Sequence, residues 1–175
     1  MAERGRRRRL RDPFAAFGHV EVVYTGYLHG AQTTTGDDDF TPSATFTSAT
    51  VANPPPGPGM IEVSGESTET DTLTFSQPVD HPVLAIYELG TGYAGNTASL
   101  LFGAPIAVLS SGLNAGGAQY FGNETLTLVD GGVSGTGGNG VVELEGTFST
   151  LPWPNPSDTP YASFTGLTVG IRAQR

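Results

Sequence analysis

The chain has 175 residues and no cysteine, and only 14% of its residues are charged; this is length for one domain with a true core, no disulfide or thiolate chemistry, and too little charge for a disordered polyanion. All eight cations lie in the tails, at Arg4, Arg6, Arg7, Arg8, Arg9, Arg11, Arg172 and Arg175, while the stretch from Asp12 to Ile171 holds every one of the 17 acids except Glu3. A phosphate cleft, a nucleic-acid groove and an anionic-membrane face all need cations, so nucleic acid is excluded as a partner of the body.

Residues 1–18 read as a basic, disordered tail. Arg11 is followed by DPFAAFGH, too short an apolar stretch to complete an export signal, and no run approaches a transmembrane segment. Residues 19–171 read as one domain. In 19–28 (HVEVVYTGYL) Val20, Val22 and Tyr24 share one face of a strand and His19, Glu21 and Val23 the other. The loop GAQTTTGDDD then ends in Asp37, Asp38 and Asp39. Residues 41–51 alternate as a strand, and 52–59 (ANPPPGPG) form a stiff proline connector. Strands follow at 60–63, 70–75 and 83–89, with Pro78 and Pro82 marking a turn or edge crossing between the last two. Brief apolar strands at 100–102 and 105–109 precede a glycine-rich loop, 110–122. Residues 124–129 alternate with Leu126 and Leu128 inward, and 131–140 read as a flexible glycine loop. The clearest strand is 141–148. Four prolines (Pro152, Pro154, Pro156 and Pro160) then bracket Trp153, a last strand spans 162–171, and 172–175 form the end. About nine or ten short strands, with no helical stripe, predict an all-β fold, an antiparallel β-sandwich or jelly roll, with a closed barrel as the alternative.

Little in the sequence has the spacing of catalysis. GTGGNG (135–140) matches the dinucleotide pattern, but a strand follows where a helix N-terminus is needed. Glu143 and Glu145 stand about 6.6–6.8 Å apart along one strand; a glycosidase takes its two acids from different elements around a cleft, so the pair reads as a solvated face. The chain is expected not to be an enzyme and to use no cofactor. One metal is considered: Asp37, Asp38 and Asp39 form the sharpest acidic cluster, in an oxygen-rich loop of the kind that takes calcium. Self-repulsion in the cation-free body predicts a melting temperature that rises with salt. Melts in low salt, in about 0.15 M NaCl and in calcium or magnesium check this; a midpoint indifferent to all of them contradicts it, and a calcium response beyond that of magnesium marks the aspartates as a site. Tyr93, Tyr120 and Trp153 fall near predicted loops and strand ends, as candidates for stacking on a sugar, although Trp153 between prolines also reads as a core plug.

Three stretches carry a resemblance. They are VVYTGYLHGAQTTTGDDDF (22–40), DTLTFSQPVDHPVLAIYELG (71–90), and the series IAVLSSGLNAGG, GGNGVVELEGTFSTLPWPNP and YASFTGLTVG within 106–170. In order and spacing they resemble a family of bacterial exported β-sandwich domains, often found in proteins with a PEP-CTERM-type C-terminal sorting tail. The resemblance implies an extracellular or cell-surface domain with a structural or adhesive role, extracellular matrix or glycan as partner, and no catalytic residues. Neither a signal peptide nor the sorting tail is read here, so export and anchoring are expected from the body alone. The alternative expectation is a viral or phage jelly-roll coat protein whose arginine-rich arm contacts nucleic acid.

Overall fold

Short alternating runs, each stopped by glycine or proline, pair into three antiparallel sheets in the computed structural model, which describes residues 8–11, 20–32, 39–55, 59–64, 67–90, 95–113, 125–154 and 164–170. The first strands are β1 (Arg8–Arg11), β2 (Glu21–Thr25), β3 (Gly30–Gln32), β4 (Met60–Ser64), β5 (Thr70–Asp80) and β6 (Val83–Leu89). Then come β7 (Ala98–Leu101), β8 (Ile106–Ser111), β9 (Thr127–Val129), β10 (Gly132–Gly135), β11 (Gly138–Leu144), β12 (Thr147–Pro154) and β13 (Phe164–Gly170). The only helical element among the described residues is a 3-10 turn at Ser43–Thr45, and no helix there is long and apolar enough to cross a membrane.

One sheet has the order β1-β2-β5-β12, a second β3-β4-β13-β6-β11-β8, and a small third β7-β10-β9. Val22, Tyr24, Leu73, Phe75, Leu151 and Trp153 of the four-stranded sheet share one core with Ile61, Val63, Leu84, Ile86, Val142 and Leu144 of the six-stranded sheet. Leu100 and Val133 of the third sheet join it. The all-β sandwich expected from the sequence is therefore the fold.

The centre of the six-stranded sheet is buried on both faces. On its outer face Phe40, Phe46, Met60, Val83, Ala85 and Val141 form a second apolar cluster, in which the rings of Phe40 and Phe46 meet edge to face at 5.1 Å. The covering segment is 41–51, which is not the strand its alternation suggests. Two of its hydroxyls satisfy local backbone: Thr47 Oγ1 donates to the Ser43 carbonyl, and Ser48 Oγ accepts from the N–H groups of Thr50 and Val51. Side-chain bonds of this kind compete with a ladder.

Glycine and proline mislead elsewhere too. The run 131–140 is a tight pair of strands, β10 and the start of β11, rather than a flexible loop. At Gly132 a Cβ would collide with the Leu100 carbonyl across the ladder, so the glycine marks close packing of backbone on backbone. Leu128, expected inward, is 55% exposed, because β9 is an edge strand. β5 continues through Pro78 beyond Phe75, the last residue that β2 pairs, so the missing N–H costs no bond to β2. β12 contains Pro152 and Pro154 because it is the other edge of that sheet. The expected strand 141–148 is divided at Glu145 and Gly146, where the chain leaves the six-stranded sheet for the four-stranded one. Within the segment read as a tail, Arg8–Arg11 pair with β2, Arg8 opposite Tyr24 and Arg11 opposite Glu21.

Candidate functional site

The four-stranded sheet carries two features, a buried polar cluster on its inner face and an open outer face. Both follow from the alternation of β5, which sends Asp71, Leu73 and Phe75 inward and Thr70, Thr72 and Thr74 outward. Asp71 is the one acid in the inward set, and it is fully buried.

Asp71 Oδ1 accepts from the Tyr27 N–H at 3.1 Å and lies 2.6 Å from Tyr24 Oη. The same Oη lies 2.7 Å from the Tyr27 carbonyl. One phenolic proton cannot serve two acceptors. A proton on Asp71 resolves the conflict, since the carboxyl then donates to Tyr24 and Tyr24 donates to the Tyr27 carbonyl. Below about pH 6 the energetics favour that proton: burial pushes the Asp71 carboxyl up to about 6, with the bonds from Tyr24 and Tyr27 offsetting only part of the rise and the charge of Glu69 adding to it. Burial, and then the neighbouring Asp71, also raise the Tyr24 phenol. Asp71 Oδ2 and Trp153 Nε1, from residues directly opposite on β5 and β12, are buried without a hydrogen-bond partner. Gly26 passes so close over this cluster that a Cβ there would collide with Asp71 Oδ1.

Trp153 is 1% exposed. Its ring is tilted against Tyr24 at 6.2 Å and meets Phe102 edge to face at 5.5 Å. The expectation of a sugar-stacking platform is corrected at this residue, because other rings cover the indole and it serves as the core plug. Tyr93, Tyr120, Asp37 and Asp38 lie outside the described residues. Asp39 is described and half-buried, next to the fully buried Phe40. Among the described residues no group of three or more His, Asp or Glu is placed to hold a metal ion. Glu143 lies within β11 and Glu145 beyond its end, at the switch between sheets.

Two polar arrangements were missed in the sequence. Glu88 is buried with φ 55°, a conformation unfavourable for its side chain. Its N–H donates to Asn139 Oδ1 at 3.0 Å, and Asn139 Nδ2 donates to the Gly137 carbonyl at 3.0 Å. A lone asparagine inside a glycine run was the available signal. At the surface, His81 Nδ1 and Thr147 Oγ1 each lie 3.0 Å from Asp80 Oδ1. The bond from His81, then that from Thr147, hold the Asp80 carboxyl below its usual range.

The outer face of the four-stranded sheet is open and uncharged across its centre. Thr25, Thr72 and Pro152 form one cross-strand row, Val23, Thr74 and Thr150 the next, and Thr70 stands opposite Pro154. Thr25, Thr70, Thr74, Thr150, Pro152 and Pro154 are exposed. Comparison with protein-family models, curated proteins and solved structures finds no match.

Proposed function

We propose that this chain is a non-enzymatic extracellular or cell-surface β-sandwich domain with a structural or adhesive role, and that the open threonine face of the four-stranded sheet is its contact surface. The observation that carries this reading is the contrast between the two large sheets: a dedicated segment covers the centre of the outer face of one, while Thr25, Thr70, Thr74 and Thr150 of the other stay exposed. Rows about 4.7–4.9 Å apart across strands and about 6.6–6.8 Å along them present methyl and hydroxyl groups in a regular array. Such a face meets a neutral, hydroxyl-rich partner such as a glycan without burying a charge, and burying an unpaired charge is the costly step at most surfaces of an acidic protein. Docking of Arg8–Arg11 on β2 supports this reading over that of a coat protein, since a strand held at a sheet edge is not a free arm for nucleic acid.

The test is depletion of the protein from solution by insoluble neutral polysaccharides and by extracellular matrix preparations. Replacing the register partners Thr74 and Thr150 by lysine is expected to weaken binding at least about tenfold, roughly 1.4 kcal/mol, with little change in melting temperature. Thr127→Lys on β9 is the control and is expected to leave binding unchanged. Binding that ignores the Thr74 and Thr150 changes, or an absence of binding to any of these surfaces, counts against the proposal.

A further inference from the structure

Among the described residues β2 is the only strand that β1 pairs with, through four register positions at the margin of the sheet. Nine residues of sequence, 12–20, join β1 to β2, so β1 is tethered to the edge on which it docks.

Charge favours that docking. Three of the four residues of β1 are arginine, and the chain from Asp12 to Ile171 has acids and no lysine or arginine. The complement of this strand is thus the body of the same protein, whether its own or another copy's. The edge it covers also needs a partner. Glu21–Thr25 reads EVVYT, with neither proline nor lysine to blunt a free edge, while the opposite edge, β12, carries Pro152 and Pro154.

We infer that the outer edge of β2 is a docking site for a basic extended strand, filled in this structure by the chain's own Arg8–Arg11 and exchangeable with the same strand of a second copy. The exchanged strand makes the same antiparallel ladder in the same register, so exchange costs no backbone bonds. Reciprocal exchange gives a closed dimer and sequential exchange an open chain of copies. The inference rests on β1 and β2 alone and stands whatever the threonine face contacts.

The absence of native cysteine makes the test direct. Arg9 and Val23 are register partners. A chain carrying both Arg9→Cys and Val23→Cys is expected to be cross-linked within one molecule by a short bis-maleimide. An equimolar mixture of the two single variants, incubated near the roughly millimolar concentrations at which a partner in trans competes with a short tether, is expected to yield covalent dimers. If the double variant cross-links as a monomer and the mixture yields no more dimer than a mixture of Arg9→Cys with Thr127→Cys, exchange does not occur and the proposal is overturned. A second arm needs no substitution in β2. Trypsin has no site between Asp12 and Ile171, so it trims the tails and leaves the body whole. The trimmed body is expected to melt several degrees lower and to recover on addition of a synthetic peptide of residues 1–11, but not of one with glutamate at positions 8, 9 and 11. A trimmed body that does not bind the arginine peptide, or binds both peptides alike, equally overturns the proposal.

Discussion

Thermal stability is expected to rise as the pH falls from neutral towards about 5, with Asp71 as the main cause. Its carboxyl has a pKa of about 6 in the fold against an ordinary value of 3.8. The protonated form is therefore the one the fold prefers. Its stabilisation is fully present below the unfolded value, is lost progressively as the pH rises towards the folded value, and is gone above it, where folding must hold a buried carboxylate. The whole separation corresponds to about 3 kcal/mol, reached only below the unfolded value; the part gained between about pH 7 and 5 is about 1.3 kcal/mol, or roughly 3–5 °C in melting temperature for a chain of this size. Asp80 acts in a separate window. Its carboxyl is held below the usual range, so its contribution is lost only at lower pH, as the pH falls through that depressed value. Asp71→Asn keeps the shape and removes the titration, and is expected to flatten the profile between about pH 4 and 7. Melts of both proteins across that range decide the matter. A wild-type midpoint that drops on acidification, or an Asp71→Asn variant that keeps the slope, removes Asp71 as the cause; in the second case relief of general self-repulsion takes its place.

The parts of this fold that were legible in the sequence are those whose burial is simple. Val22 and Tyr24 of β2, and Val20 just before it, alternate because one face there meets the core, and the apolar run 83–86 of β6 reflects a strand buried on both sides. What was not legible depends on neighbours distant in sequence. Pro152 and Pro154 belong in a strand only because β12 is an edge, and edge position follows from the order of the whole sheet. The glycines of 131–140 look flexible until the Leu100 backbone is placed against Gly132. Thr45 and Thr47 alternate with Phe46 like strand residues, yet Thr45 Oγ1 donates to the carbonyl of Leu113, far along the chain. At the candidate site the threonine face was half legible, since Thr70, Thr72 and Thr74 alternate within one run, whereas Thr25, Thr150 and Pro152 join it only through register. Asp71 carries a signal in the sequence itself: it shares the inward parity of Leu73 and Phe75, and an acid at such a position must find a partner or take up a proton.

A matched pair of glycine substitutions separates backbone conformation from the polar cluster. Gly26 and Gly59 both have positive φ, at 152° and 132°, where an L side chain is strained. Around Gly59 a Cβ would meet nothing within 4 Å, so Gly59→Ala is expected to cost only the conformational strain, about 1–3 kcal/mol. At Gly26 the same methyl would collide with Asp71 Oδ1 and come within 2.9 Å of both Asp71 Cα and Tyr24 Oη. The Cα belongs to β5, paired with Trp153 of β12, and cannot readily retreat, so Tyr24 and the carboxyl must part. Their separation leaves buried polar groups unsatisfied, at a further cost of about 1–3 kcal/mol. Gly26→Ala is thus expected to destabilise by about 2–6 kcal/mol in all, and urea denaturation of the two variants measures the difference. Once the carboxyl is displaced, its proton no longer bridges to Tyr24, so Gly26→Ala is also expected to lose the pH dependence that Gly59→Ala retains. Equal losses of stability in the two variants, with both keeping the wild-type pH profile, would mean that Gly26 is needed for its backbone angle alone and that the Tyr24–Asp71 contact is incidental to the fold.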